Sequence, residues 1–238
     1  MSLKPYLEHD GITLYHGDCQ EVLHELDPES FDMVLTDPPY LVSYAGRWGS
    51  DWRIIQGDSD PNWVEPVYAE LWRVLKQDAL CITFYGWPHA DTFLTAWKRI
   101  GFRPVSLLAL IKNKWGLGQF TRAQYEPAYL LAKGHPEKPP RAISDVLDWT
   151  ESSPLLHPNQ KPLGAVSKLI STYTQQDALI LDPFCGSGTT LVAARREGRR
   201  AVGIEIEERF CEVAAMRLSQ QIFHFAQQTT PSEQLTLI

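Results

Sequence analysis

The chain has 238 residues, 44% of them hydrophobic, with a formal charge of −7 and four cysteines. That length holds one substantial α/β core but would squeeze two, and the acidic balance argues against a protein that coats nucleic acid. The cysteines (Cys19, Cys81, Cys185, Cys211) lie far apart with no C-x-x-C pair, which suggests neither a zinc site nor disulfides, and no apolar run nears the roughly 20 residues of a membrane span, so a cytoplasmic protein without membrane segment or metal is expected.

In chain order, "GITLYHGD" alternates and predicts a strand over 12–15, then a short helix near 19–26. "FDMVLT" predicts an apolar strand leading into Asp37-Pro38-Pro39-Tyr40. Neither proline can donate to a sheet ladder and each fixes φ, so the strand ends there and the chain is held rigid. Alone, those four residues read as an ordinary turn as readily as a site. Residues 41–62 contain Gly46, Gly49, Gly57 and Pro61 without a sustained period and read as a long, lid-like loop.

Next come a helix in "WVEPVYAELWRVLK", a strand in "ALCITFY", a helix in "HADTFLTAWKRIG" stopped by Gly101, and strands in "PVSLLALIK" and "EPAYLLAKG". Residues 134–160 carry five prolines and little periodicity, a connector too short for a domain. A helix near 162–175, the strand "ALILDPF", a glycine turn, a helix near 189–197, the strand "RAVGIEI", an amphipathic helix from about Glu207 to Phe223 and a polar tail from about 226 complete the chain. Alternating strands and helices imply a single domain over 1–238, built on a mostly parallel central sheet with helices on both faces.

Charge is unevenly placed. Residues 95–141 carry nine basic and two acidic side chains, a local +7 that leaves −14 on the remainder. A basic groove on an acidic body would produce this, and so would scattered solvated side chains.

The stretch "LILDPFCGSGTTLVAARREGRRAVGIEIEE" combines strand, Gly-x-Gly turn, helix and a second strand ending in an acid, within about the 30 residues of a βαβ unit. Gly186 and Gly188 allow close backbone approach to a ligand, and the following helix offers free N–H groups. Glu205, 23 positions after Asp182, stands where a carboxylate can accept both hydroxyls of a ribose. The turn lacks both the third glycine of a dinucleotide fingerprint and the lysine of an ATP-binding P-loop, which leaves S-adenosylmethionine.

The chain resembles the amino-group (N4/N6) DNA methyltransferases of the permuted beta group, in which a catalytic Asp-Pro-Pro-Tyr block precedes an Asp-Pro-Phe-x-Gly-Ser-Gly-Thr-Thr cofactor block. Here "TDPPY" (36–40) precedes "LDPFCGSGTT" (181–190), and "HGDC" (16–19), "YEPAYLLAKG" (125–134) and "HPNQKP" (157–162) resemble subsidiary segments. The resemblance implies a Rossmann-like methyltransferase fold, a DNA substrate, and a cofactor site drawn from Asp18, Asp37, Lys161, Asp182, Phe184, Cys185, Gly186, Ser187, Gly188, Thr189, Thr190, Glu205 and Ile206. It further implies a catalytic group of Asp37, Pro38, Pro39 and Tyr40. Arg47, Trp48, Lys112, Lys114 and Arg122 are candidates for DNA contact. A homodimer is compatible with the chain, and no restriction partner is named by it.

The chemistry gives each catalytic residue a part. An exocyclic amine is a poor nucleophile because its lone pair is delocalised into the ring, so a site must accept its N–H hydrogens; Asp37 and the Pro38 carbonyl are suited to this, and Tyr40 offers a flat face to a flipped base. Lys161 has two open readings, pairing with the methionine carboxylate or starting a helix, and Asp18 and His157 can both be turn residues. Cytosine-N4 members of the family usually carry Ser at the position of Asp37, and protein-glutamine relatives usually carry Asn, so Asp37 favours adenine N6. A catalytically silent DNA-binding subunit is the other alternative. The family's usual Leu-Lys-Pro-Gly-Gly is "LKQDA" here, and only about two dozen residues separate Gly134 from His157, which implies a short or relaxed recognition sequence.

Overall fold

In the computed structural model the chain runs β1 (Leu7–His9), β2 (Ile12–His16), α1 (Cys19–His24), β3 (Phe31–Thr36), α2 (Val64–Val74), β4 (Leu75–Phe84), α3 (Ala90–Ile100), β5 (Arg103–Ile111), β6 (Tyr125–Ala132), β7 (Val146–Asp148), α4 (Leu163–Tyr173), β8 (Leu179–Asp182), α5 (Thr189–Arg196), β9 (Arg200–Glu205) and α6 (Glu208–Gln228). The structure describes residues 4–41, 60–113, 115–116, 119–149 and 161–228, with the side chains of α6 followed as far as Ser219. Most of the lid-like loop (42–59) and the end of the connector (150–160) therefore lie outside the described residues.

The nine strands form one sheet in the order β1-β2-β9-β8-β3-β4-β6-β5-β7. Pairing is parallel from β2 through β4 and between β5 and β7, while β1 and β6 run antiparallel to their neighbours. Both faces of the central strands are buried. Met33 and Leu35 of β3, with Leu80, Ile82 and Phe84 of β4, pack toward α4, α5 and α6. Val34 and Cys81, from the alternate positions, pack toward α1, α2 and α3.

The helices follow their apolar spacing. In α2 the buried side chains are Val64, Val67, Tyr68, Leu71 and Val74, a stripe of period 3.6, and in α3 they are Phe93, Ala96 and Trp97. Phe93, Trp97 and Tyr68 are wholly buried; a side chain of that size stabilises the fold by roughly 1.5–3 kcal/mol over leaving it exposed. Gly101 ends α3 at φ 120°, as the sequence predicts.

Three local expectations change. Leu75 and Lys76 begin β4 instead of ending α2, because fully buried Leu75 pairs with Phe31 of β3. Pro61 and Asn62, read as loop, belong to a 3-10 turn at Pro61–Trp63 that Asp60 caps through the Asn62 N–H. The strands β1 and β7 are additional, each three residues long.

Topology then positions the site. From β3 the chain crosses to β4 on one side, and from β8 it crosses to β9 on the other, so the direction of winding reverses between β3 and β8. Open α/β sheets bind ligands at such a switch point, beyond the carboxyl ends of the strands. Asp37 follows the end of β3, while Asp182 and Glu205 end β8 and β9.

Candidate active site

Four charged side chains from separate parts of the chain meet at that edge. Because β6 is antiparallel, Ala128 pairs with Phe84 at the end of β4, which brings the start of β6, and with it Glu126, to the carboxyl edge. Leu110 pairs with Glu126, placing Lys112 beside it. Lys161, just before α4, completes the group. Its Nζ contacts Asp37 Oδ2 directly, lies 2.9 Å from Glu126 Oε2 and donates to the Tyr40 hydroxyl at 3.2 Å. Glu126 Oε1 in turn contacts Lys112 Nζ. The Lys161 ammonium also lies over two rings, 4.7 Å from the centroid of Phe84 and 5.5 Å from that of Tyr40.

Tyr40 donates its hydroxyl to Asp37 Oδ1 at 2.7 Å. Burial, and then the Asp37 carboxylate, push the Tyr40 phenol well above its ordinary value, so it stays a donor. Burial also pushes the Asp37 carboxyl up, against the pull of the Lys161 ammonium. For Glu126 burial acts upward too, but Lys161 and Lys112 together outweigh it and hold the group below its ordinary value. The two carboxylates likewise overcome the burial of Lys161 and raise it, so it remains an ammonium.

Two backbone features fix Tyr40. A Cβ on Gly86 would stand 2.6 Å from the Tyr40 carbonyl oxygen, so only glycine lets the end of β4 approach so closely. Leu41, buried, takes φ 61°, a strained conformation that turns the chain away from the tetrapeptide.

The glycine turn lies across the switch point. Asp182 is buried and accepts from Thr36 Oγ1 at 2.9 Å and from the Phe184 N–H at 3.2 Å; burial raises its carboxyl to about 7. Glu205 accepts the Gly186 N–H at 2.9 Å and the Glu207 N–H at 2.8 Å, and burial raises it as well. Gly188 has φ 78°, and a Cβ there would meet that of Ala214 at 2.8 Å. Ser187, Thr189 and Thr190 are buried, as is Cys185. From α6, buried Arg217 donates to the Ser187 carbonyl at 2.5 Å, to Ser187 Oγ at 3.0 Å and to Thr189 Oγ1 at 3.1 Å, holding the turn.

The sequence-predicted catalytic and cofactor residues thus fall into two neighbouring groups along one sheet edge; Pro38 is buried and Pro39 half-buried. Phe184 is half-buried against Trp63, and Ile206 is 38% exposed beside Glu205. Asp18 caps α1 by accepting the Gln20 N–H at 2.8 Å. Lys161 is on Asp37, which neither sequence reading of it anticipated. Glu126, Gly86 and Arg217 are additions.

Of the DNA-contact candidates, Arg47, Trp48 and Lys114 lie outside the described residues. Exposed Arg122 lies over exposed Trp115, 5.9 Å from the ring centroid. Lys112 is engaged by Glu126 and lies 4.9 Å from the Trp149 ring centroid. The +7 segment does not present one face: Arg103 starts β5 at the opposite sheet edge, about 27 Å away along a nine-residue strand. Lys133 is buried, donating to the carbonyls of Trp72 and Leu75. Among the described residues no three His, Cys, Asp or Glu side chains gather as a metal site, and no helix is long and apolar enough to cross a membrane.

A sheet with this switch point, an Asp-Pro-Pro-Tyr edge and a Gly-Ser-Gly turn defines a class, and comparison with known proteins agrees. The N6/N4-type DNA methylase family model matches residues 31–216, and the chain belongs to that family: it is a DNA methyltransferase of the N4/N6 amino-group type. YubD of Escherichia coli (strain K12) is 42% identical over 203 residues, covering 85% of this chain and 88% of that protein. The type II methyltransferase M2.MboI of Moraxella bovis is 31% identical over 252 residues, covering 91% of this chain and 92% of that one. In fold, the chain is similar to the PvuII DNA methyltransferase (cytosine-N4-specific), with a TM-score of 0.76 at 18% identity over 91% of this chain and 89% of that one.

The methyl donor is S-adenosylmethionine, and the residues present fit it. The positive-φ glycines leave the turn at Gly186 and Gly188 without side chains, and the Glu205 carboxylate keeps lone pairs beyond the two backbone N–H groups it accepts. Half-buried Phe184 and partly exposed Ile206 add apolar surface beside the turn.

Proposed function

We propose that the chain is a DNA adenine-N6 methyltransferase that acts on a flipped-out adenine, with Asp37, the Pro38 carbonyl and Tyr40 as the group facing the target amine. One observation carries this reading: the Asp37 carboxylate and Tyr40 hydroxyl together hold a nitrogen donor, the Lys161 ammonium, over the rings of Tyr40 and Phe84. A site that seats one N–H donor against a carboxylate and aromatic faces has the chemistry to seat another, the exocyclic amine of a base.

S-adenosylmethionine supplies an electrophilic methyl group when bound. The residues of the chain prepare the amine. Asp37 accepts one N–H hydrogen and the Pro38 carbonyl the other, which lets the nitrogen pyramidalise and stabilises the positive charge that develops on it. The Tyr40 hydroxyl fixes the orientation of the Asp37 carboxylate before the base arrives. Glu205 and Asp18 are assigned to the ribose and adenine of the cofactor, and Asp182 and Arg217 to the shape of the turn. Arg122 with Trp115, and the loop at 41–62 with Arg47 and Trp48, are assigned to DNA. Adenine is favoured over cytosine by Asp37, since the family resemblance associates Ser with cytosine N4.

The test is expression in a host that lacks DNA methylation, followed by mass spectrometry of the digested nucleosides. N6-methyladenine is expected, and N4-methylcytosine alone would overturn the base assignment.

A further inference from the structure

Methyl transfer needs the Asp37 carboxylate turned to the target amine, yet that carboxylate is in contact with an ammonium that is 8% exposed. The ammonium cannot stay there during the reaction. It would occupy the volume of the amine, and its charge would oppose the positive charge developing on the substrate nitrogen. Deprotonation offers no escape, since Asp37 and Glu126 both raise the lysine. The second carboxylate does offer one. Glu126 is already 2.9 Å from Lys161 Nζ, and Lys112 steadies its other oxygen.

We infer that the Lys161 ammonium is a resident stand-in for the target amine: it seats on Asp37 and Tyr40 in the free enzyme and passes to Glu126 when the base enters. Lys161 and Glu126 are then positioning residues that act through Asp37. The arrangement spares the free enzyme a half-buried, uncompensated carboxylate, and it makes base entry a competition between two N–H donors for one acceptor. A base with no exocyclic amine cannot replace the hydrogen bonds that Asp37 gives up, so the stand-in also contributes to selection of the base. The inference rests on the amine-acceptor reading of Asp37 above.

A double-mutant cycle tests it, with unmethylated DNA as substrate and KM, kcat, cofactor Kd and thermal melting measured for the parent, Glu126→Gln, Lys161→Met and the double variant. Glu126→Gln removes the charge that receives the ammonium, so KM for DNA should rise about fivefold or more, a coupling ordinary for groups in contact, with cofactor Kd unchanged. In the Lys161→Met background there is no ammonium to move, and Glu126→Gln should be nearly silent on KM. An equal rise in both backgrounds, or no rise in the parent, would overturn the stand-in. If Lys161→Met does not fold, Lys161→Gln takes its place with the same expectation. The adenine reading fails separately: if the parent makes N4-methylcytosine, that reading falls while the cycle still decides the stand-in, because cytosine N4 is also an exocyclic amine.

Discussion

Asp37 and Lys161, 124 positions apart in the chain, form a direct ion pair at the switch point of the sheet. The pair exists because β3 ends at the edge where the chain re-enters before α4, and because antiparallel β6 delivers Glu126 to the same place. Each has consequences that can be measured.

Glu205 is expected to matter for the cofactor more than for the fold. Its carboxylate holds the Gly186 and Glu207 N–H groups and has the proposed ribose contact, so Glu205→Ala should weaken S-adenosylmethionine binding by roughly 1.5–3 kcal/mol, the range for a hydrogen bond to a charged group. Calorimetry on a folded preparation, with melting measured alongside, checks this; unchanged affinity would remove Glu205 from the cofactor site.

Asp182 is expected to impose a pH dependence on stability. Burial raises its carboxyl from the ordinary 3.8 to about 7, so between those values the folded protein holds a proton that the unfolded chain has lost. Stability from this group is present below the lower value and is lost as pH rises toward 7, with a slope of up to about 1.4 kcal/mol per pH unit. Asp182→Asn should flatten that part of the profile. Denaturant unfolding across this window reads the slope directly, and an identical slope in the variant would show that other groups set it.

Gly86→Ala should act on turnover and leave the cofactor alone. The added methyl would meet the Tyr40 carbonyl oxygen at 2.6 Å and its Cβ at 2.8 Å, a clash with backbone that moves the tetrapeptide. Because misplacement by about an ångström can cost as much as 10²-fold, kcat is expected to fall by roughly ten- to a hundredfold while cofactor Kd holds. Wild-type kcat in the variant would mean that the position of Tyr40 is not critical.

Much of this was legible in the chain, and the exceptions have physical reasons. The glycine turn and its βαβ unit are contiguous, so their spacing shows in the sequence, and the apolar period marks α2, α3 and β3. The strand β1 escapes a periodicity reading because three residues carry no period, although Asp10-Gly11, with φ of 51° and 75°, is a two-residue hairpin signal that could find it. The ion-pair chain is a different case. Lys112, Glu126 and Lys161 are joined only by sheet order and register, which local pattern does not encode, so Lys112 reads as a phosphate contact and Lys161 as a partner of the methionine carboxylate or a helix start. The basic segment misleads for the same reason: its charges are near in sequence but divided between opposite edges of the sheet.

Asp37 is the group on which methyl transfer is expected to depend most. On one folded preparation of Asp37→Ala, methyl transfer to unmethylated DNA, S-adenosylmethionine affinity and DNA affinity are measured together. Turnover should fall on the order of 10²–10³-fold or more, as for deletion of one preorganised group, while cofactor affinity changes little and DNA is still bound. Near-normal formation of N6-methyladenine by that variant would contradict the account, and would leave Asp37 as a residue that only shapes the turn after β3.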